Sequence, residues 1–255
     1  MTPVTRRARN FAAQRIHRPV LGFVRARLSP DNYLGLHLTI GAIILMVAVF
    51  VFGKIAEDVM TVDSIVRMDL EISRWFETHA TPLLTMGFLF ITELHSTPGA
   101  LVLSFLFALY LAYKRAWDWV WLVVVSVPLG MILNVLLKHV FQRARPSFEH
   151  PLLTLTTYSF PSGHTAAATL LYGVVGAYLI SVSKGWPRLL IAVLVLLMVV
   201  LVGLSRIYLG VHYLSDVLAA VASSTVWLAF TITAIVTWRK RQIALAVQEN
   251  NRAAT

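Results

Sequence analysis

The apolar residues of this chain are gathered in long, nearly uninterrupted runs. Six of these runs are long enough, or nearly so, to cross a hydrocarbon core, which takes ~20 helical residues. They are residues 33–53, 98–113, 116–137, 164–182, 186–204 and 214–238. The pattern predicts an all-α protein, a polytopic membrane helix bundle with six transmembrane helices.

Three neighbouring stretches need a separate interpretation. Residues 82–95 are mostly apolar and could extend the short second span, with a break at Ser96-Thr97-Pro98. Residues 55–81 carry six acidic side chains, so a plain solvated loop is expected there, with a short amphipathic cap as the alternative. Residues 11–28 mix apolar side chains with four arginines. A helix lying on an anionic inner leaflet and a loosely ordered basic tail are equal alternatives for them.

Composition indicates lipid as the surrounding solvent. Hydrophobic residues make up 58% of the 255 positions and charged residues 13%, with a mean hydropathy of +0.73. Soluble domains contain about one half apolar and one quarter charged residues. The net charge of +10 would suggest a nucleic-acid partner in a soluble protein. In a membrane protein such charge sets topology instead, so no nucleic acid is expected. The chain has no cysteine, which excludes disulfides and thiolate metal sites.

The basic residues are distributed unevenly between the two sides of the predicted bundle. The side that holds both termini carries fifteen Lys and Arg residues, and the opposite side carries seven. Acidic residues show the reverse distribution, three against nine. Because basic loops stay in the cytoplasm, both termini are expected there, and the loops after spans one, three and five face outward.

Three polar clusters stand at the outward ends of spans three to six, where ionisable groups are costly. They are residues 138–146, 161–164 and 205–216. Lys138, Arg145 and Arg206 supply three cations, which suit the oxygens of a phosphoryl group. Ser162 and Gly163 open a helix whose free N–H groups point at an anion. The clusters therefore predict a cradle for a phosphoryl group.

Two histidines and a carboxylate complete this predicted site. His212 and Asp216 are four residues apart and share one face of a helix. Asp216 can hold one ring nitrogen as N–H and leave the other free to attack phosphorus. His164, from another span, can protonate the leaving oxygen as a general acid.

Each of these residues also has a simpler interpretation when it is taken alone. A Lys or Arg at a span end is usually an interfacial anchor, and Arg143 is interpreted as such an anchor or as a loop contact. Asp216 by itself would suit a proton relay or a transport pathway. Histidines outside the clusters are interpreted as incidental: His37, His79, His95, His139 and His150. The joint spacing of the clusters favours the catalytic interpretation.

The motifs K-x6-RP, PSGH and SR-x5-H-x3-D, present at residues 138–146, 161–164 and 205–216 without a departure, resemble the signatures of the type 2 phosphatidic acid phosphatase superfamily. That family also includes bacterial acid phosphatases and vanadium haloperoxidases. The resemblance implies a nucleophile at His212, an orienting carboxylate at Asp216 and an acid at His164. It implies phosphate binding by Lys138, Arg145, Ser162, Gly163 and Arg206.

The resemblance implies a lipid phosphate phosphatase that works through a phosphohistidine, with no cofactor and no metal. Phosphatidylglycerophosphate, undecaprenyl diphosphate, phosphatidic acid and lipid A phosphates are candidate substrates, and membrane lipids are the other expected partners. A transporter fits the sequence less well, because the polar groups lie at span ends. A metal enzyme fits less well, because the cations would repel a metal ion. A haloperoxidase fits less well, because the predicted site faces lipid in a membrane helix bundle. A lipid phosphotransferase with the same site stays open, as does the oligomeric state.

These expectations divide the chain into three parts. Residues 1–32 are a basic cytoplasmic segment, residues 33–238 the six-span phosphatase domain, and residues 239–255 a cytoplasmic tail. The active site is expected at the outer ends of helices three to six. It would face the periplasm or exterior of a bacterial cytoplasmic membrane.

Overall fold

The computed structural model describes residues 36–147, 153 and 155–253. Regular secondary structure in these residues consists of eight helices. They are α1 (Leu36–Met60), α2 (Ser64–Thr78), α3 (Pro82–Leu94), α4 (Thr97–Tyr113), α5 (Trp117–Phe141), α6 (Gly163–Val182), α7 (Pro187–Tyr208) and α8 (Leu214–Ala253). The predicted all-α class is confirmed. The basic segment at residues 1–32, with its possible interfacial helix, lies outside the described residues.

Five helices are long and apolar enough to cross a membrane by length and composition. These candidate spans are Leu38–Met60, Trp117–Phe141, Gly163–Val182, Pro187–Tyr208 and Leu214–Val247. Helices α3 and α4 pass the same test only together, and they are bent by 57° at the break between them. The described residues therefore contain five candidate spans, or the predicted six if this bent pair counts as one broken span. The chain is an integral membrane protein.

The break between α3 and α4 lies where the sequence predicted it. Helix α3 ends at Leu94 and α4 begins at Thr97. The hydroxyl oxygen of Ser96 accepts a hydrogen bond from the backbone N–H of Gly99 at 3.4 Å, which caps the new helix. Pro98 stands in the first turn of α4, where a helix does not need its missing N–H.

The interpretation of residues 55–81 as a plain loop is wrong. Helix α1 continues to Met60, and after a short turn Asp63 caps α2 by accepting a hydrogen bond from the backbone N–H of Ser64 at 2.6 Å. Helix α2 buries Asp69 and Ser73, which lie four residues apart on one face. The short amphipathic cap, the alternative interpretation of this segment, agrees better with helix α2.

Residues 44–231 form one compact unit that contains all the predicted site residues. Within it α6 packs against both α5 and α7, and α7 also packs against α2 and α3. Small residues allow these helices to approach closely: Gly130 of α5 faces Leu170 and Trp227, and Gly203 of α7 faces Val217. The Trp227 ring N–H also donates to the Ser126 carbonyl at 3.0 Å.

A second unit contains the described residues 36–43 and 232–253. Gly41 of α1 faces Thr233 of α8 there. Helix α8 runs on to Ala253 through residues that the sequence interpretation had assigned to the C-terminal tail.

Candidate active site

The three predicted cations lie together and repel one another electrostatically. Lys138, in the last turn of α5, donates from Nζ to the Tyr158 carbonyl at 2.6 Å. Arg206, in the last turn of α7, is 1% exposed and donates from Nη1 to the Thr92 hydroxyl at 2.9 Å. The loop after α5 carries the third cation, Arg145.

Arg145 is held by the backbone of two loops. Its Nε donates to the Thr157 carbonyl and its Nη1 to the Val211 carbonyl, each at 2.6 Å. The same Nη1 lies 3.2 Å from Nε2 of His212. Because the guanidinium spans both loops, it places a fixed cation directly beside the predicted nucleophile.

Within the described part of the chain, none of these three cations has a carboxylate within ion-pair distance. Nε of Arg206 is buried and has no hydrogen-bond partner there. A buried donor without a partner costs about 1–3 kcal/mol, and mutual repulsion of the cations adds to that cost. An anion with several acceptor oxygens would relieve both.

His212 lies in the loop between α7 and α8 and is 2% exposed. Its Nδ1 faces Oδ2 of Asp216 at 3.4 Å, which is longer than an ordinary hydrogen bond. The Ser159 hydroxyl lies between them, 3.3 Å from Nδ1 and hydrogen-bonded to Oδ2. Burial lowers the pKa of His212 to about 3, against the opposing effect of Asp216. The imidazole is therefore neutral at physiological pH.

Helix α6 begins beside this loop. The backbone N–H of Ser162 donates to the Asp216 carbonyl at 3.1 Å, and the Ser162 hydroxyl accepts from Thr165 at 3.0 Å. A Cβ added to Gly163 would meet nothing closer than Oδ1 of Asn134, at 3.6 Å. Packing within the protein therefore does not require glycine at this position. Close approach of a ligand remains the predicted reason for it.

A cavity of about 860 Å³ opens beside these groups. Its lining includes five of the predicted site residues: Lys138, Arg145, Gly163, His164 and His212. Its remaining wall is mainly apolar and is built largely from one face of α5 with the start of α4. Members of this apolar wall include Leu101, Pro128, Met131, Ile132, Val135 and Leu136. The arrangement suits a molecule with an anionic head and an apolar tail.

Comparison with known proteins shows which family this chain belongs to. The family model described as the PAP2 superfamily matches residues 119–240. The decaprenylphosphoryl-5-phosphoribose phosphatase of Mycobacterium tuberculosis is 35% identical over 144 residues, covering 54% of this chain and 70% of that relative. The chain belongs to the PAP2 superfamily.

Two further PAP2 relatives extend the comparison. Phosphatidylglycerophosphatase B of Bacillus subtilis is 36% identical over 110 residues, which cover 42% of this chain and 52% of the relative. The match thus spans about half the length of that protein. The crystal structure of a transmembrane PAP2 type phosphatidylglycerolphosphate phosphatase from Bacillus subtilis superposes with a TM-score of 0.66 at 26% identity. It covers 73% of this chain and 93% of that one.

The PAP2 motifs do not include Arg143, and its interpretation as an anchor is wrong. Its guanidinium donates to Asp216 at 2.6 Å and to Asp69 of α2 at 2.8 Å. Burial alone would lower the pKa of Arg143, but Asp216 and Asp69 raise it above its ordinary value. The spacing K-x6-RP offered no signal for this contact, because Asp69 is 74 residues away in sequence.

Two further side chains near the site were missed. His95, interpreted as incidental, is buried, with Nε2 2.6 Å from the Tyr172 hydroxyl and Nδ1 2.8 Å from the Ile91 carbonyl. Thr92 of α3 accepts a hydrogen bond from Arg206. Both precede the matched segment 119–240, where the sequence offered no recognisable pattern. Among the described residues, no group of three or more His, Asp or Glu side chains could hold a metal ion.

Proposed function

We propose that this protein is a membrane lipid phosphate phosphatase that hydrolyses a lipid phosphate monoester or diphosphate through a phosphohistidine intermediate. His212 is the nucleophile, Asp216 its orienting carboxylate and His164 the general acid. The phosphoryl group is bound by Lys138, Arg145, Ser162, Gly163 and Arg206.

The observation that carries this proposal is a set of three neighbouring cations without carboxylate partners in the described residues, two of which, Lys138 and Arg145, line a largely apolar cavity. A phosphate monoester carries about −1.5 to −2 charge at neutral pH and has acceptor oxygens pointing in several directions. A lipid tail would occupy the apolar part of the same cavity. The names of the two curated relatives add support, because both describe phosphatases of lipid-linked substrates.

The first half of the reaction uses the free nitrogen of His212. Nδ1 faces Asp216, so a proton on Nδ1 leaves the Nε2 lone pair pointing toward Arg145 and the cavity. A phosphoryl group bound by Arg145 brings phosphorus to that lone pair. The P–Nε2 bond forms as the P–O bond to the lipid breaks, and His164 gives its proton to the leaving oxygen. Asp216 stabilises the positive ring that results.

The second half reverses the roles of acid and base. His164, now neutral, takes a proton from a water molecule that attacks the phosphohistidine. The P–Nε2 bond breaks, its electron pair returns to His212, and inorganic phosphate leaves. During both halves the negative charge on the equatorial oxygens is stabilised by the fixed cations and by the first N–H groups of α6.

The site is proposed to face outward from a bacterial cytoplasmic membrane. The distribution of Lys and Arg supports cytoplasmic termini, and with them an external position for the loops that carry His212 and Arg145. The two named relatives are bacterial. A lipid phosphate whose tail stays in the outer leaflet would then reach the cavity without leaving the membrane.

The test is phosphate release from a panel of lipids in detergent: phosphatidic acid, phosphatidylglycerophosphate, undecaprenyl diphosphate and lipid A. Wild type is expected to release phosphate from at least one of them. His212→Ala removes the attacking nitrogen and should abolish turnover. Asp216→Asn should lower kcat by about 10⁴, as loss of the orienting carboxylate does in serine proteases.

A matched control is His79→Ala, which removes an exposed histidine at the end of α2. It should keep wild-type activity. Phosphate release by His212→Ala at a substantial fraction of the wild-type rate would contradict the covalent mechanism. No release by the wild-type protein from any lipid of the panel would contradict the function.

A further inference from the structure

A buried ionic network lies on the far side of Asp216 from His212. Arg143 donates from Nη1 to Oδ1 of Asp216 at 2.6 Å and from Nη2 to Oδ2 of Asp69 at 2.8 Å. The two carboxylates are 0% and 1% exposed, and the Arg143 side chain is 12% exposed. The guanidinium of Arg143 thus joins Asp216, the predicted orienting carboxylate, to Asp69 of helix α2.

Ser215 and Tyr213 fix the same guanidinium from other sides. The Ser215 hydroxyl accepts from Nη1 of Arg143 at 2.7 Å and donates to Asp69, and the Ser215 backbone N–H donates to Asp69 at 2.9 Å. The Arg143 guanidinium also lies over the Tyr213 ring, 4.3 Å from its centre. With partners on each side, Arg143 has little freedom to adopt another position.

The two oxygens of Asp216 have separate partners as a result. Oδ1 accepts from Arg143, whereas Oδ2 accepts from Ser159 and from the backbone N–H of Tyr213 at 2.9 Å and faces His212. Because Arg143 holds one oxygen, the carboxylate cannot turn its other oxygen away from the histidine ring.

We infer that Arg143, fixed by Asp69 of α2, is a positioning residue that keeps Asp216 ionised and directed at Nδ1 of His212. The inference rests on the proposed function, because it assigns Arg143 a task in that same reaction. Arg143 has no part in binding phosphate here. Its guanidinium is occupied by the carboxylates of Asp69 and Asp216.

The charge of Arg143 matters as much as its geometry. The charged or titratable groups around Asp216 come from α2, α5 and the two loops: Asp69, Lys138, Arg143, Arg145, His212 and Tyr213. Without the guanidinium, the negative charges of Asp69 and Asp216 would share one buried network with no cation among the described residues in contact with either carboxylate. Like charges in such a site favour uptake of a proton. A protonated Asp216 no longer orients or stabilises the histidine ring.

The test compares Arg143→Gln, Asp69→Asn and the double variant with wild type on the best lipid of the panel. Arg143→Gln should lower kcat on the order of 10², as loss of precise positioning can do, while KM changes little. In the pH–activity profile of Arg143→Gln, the rise in activity on the acidic side should occur at a pH about one unit or more higher than in wild type. The reason is that Asp216 must lose a proton before it can orient His212. Asp69→Asn removes the second negative charge, so the double variant should regain about tenfold of the lost kcat.

Arg143→Lys keeps a cation but not the two-pronged contact. It should keep the wild-type pH profile with kcat lowered about tenfold. Arg74→Gln removes an exposed arginine from the same helix α2 and serves as the matched control, with unchanged kinetics. If Arg143→Gln fails to fold, the double variant and Arg143→Lys still report on the charge and the geometry.

Two results would overturn the inference. One is an Arg143→Gln protein with wild-type kcat and pH profile. The other is a loss of kcat that is equal at every pH and is not relieved by Asp69→Asn, which would indicate a merely structural role. Both arise with an active wild type. An inactive wild type would instead reject the proposed function, and the inference with it.

Discussion

At the scale of single residues, the proposed mechanism gives the three fixed cations the task that a metal ion has in many phosphoryl-transfer enzymes. Negative charge develops on the equatorial oxygens in the transition state, and Mg²⁺ often neutralises it. Here Arg206 is buried, its Nε has no hydrogen-bond partner among the described residues, and Lys138 and Arg145 lie close to it. Each charge-assisted hydrogen bond in such a site is worth roughly 1.5–3 kcal/mol.

Phosphate release should therefore survive excess EDTA and be inhibited by vanadate. Vanadate can adopt a five-coordinate shape bonded to a histidine nitrogen and so imitates the transition state. The measurement is the rate of phosphate release with EDTA alone, and then with vanadate after the chelator is removed. Activity that is lost to EDTA and restored by Mg²⁺ or Zn²⁺ would contradict the prediction.

The sequence indicated the residues of this cradle but not the residues that hold them. Lys138, Arg145 and Arg206 occur in recognisable spacings at span ends. Their partners carry no such signal: Thr92 is 114 residues from Arg206, and Asp69 is 74 residues from Arg143. Contacts over such separations depend on how helices pack, which the periodicity of one chain does not specify.

At the scale of helices, the close approach of α7 and α8 sets the relation between Arg206 and Asp216. Gly203 lies three residues before Arg206, and Val217 follows Asp216 directly. A Cβ added to Gly203 would lie 2.6 Å from Cγ1 of Val217. Valine in a helix has one strongly preferred rotamer, so it cannot easily move aside. The two helices would have to separate.

Gly203→Ala should consequently lower both stability and activity. Overpacking of this kind costs about 1–3 kcal/mol, and a shift of Arg206 against His212 should lower kcat as well. Thermal unfolding in detergent and phosphate release would measure the two effects. Gly87→Ala, in α3 with nothing within 4 Å of the added Cβ, is the matched control. Unchanged stability in Gly203→Ala would contradict the packing argument.

The long apolar helices were predictable from the sequence. A helix that faces lipid is apolar along its whole length, so a continuous apolar run identifies it without any periodicity. Helix α2 was predicted only as the less favoured alternative, a short amphipathic cap, since its sequence is rich in acidic residues. Its inward face carries Asp69 and Ser73 instead of a continuous apolar stripe. A search for hydrophobic periodicity does not identify a helix whose buried face is held by ionic contacts.

At the scale of the whole molecule, the proposed orientation in the membrane rests on a count of fifteen basic residues on one predicted side and seven on the other. Reporter fusions after Lys114 and after Lys184 should be cytoplasmic. Fusions near Asp63 and near His150 should be external. A combined phosphatase and fluorescence reporter at each position would measure this. An external signal at Lys184 would place the predicted site on the cytoplasmic side and contradict the proposed localisation.

The contacts of Asp69 and Thr92 have a consequence for protein engineering. The matched segment 119–240 contains all eight predicted site residues, yet both of these partners lie before it. A chimaera that transplanted only the matched segment onto another membrane scaffold would carry the reactive groups without their supports. Arg143 would lose one of its two carboxylates, and Arg206 would lose its hydroxyl acceptor. The smallest transferable unit therefore begins at or before α2.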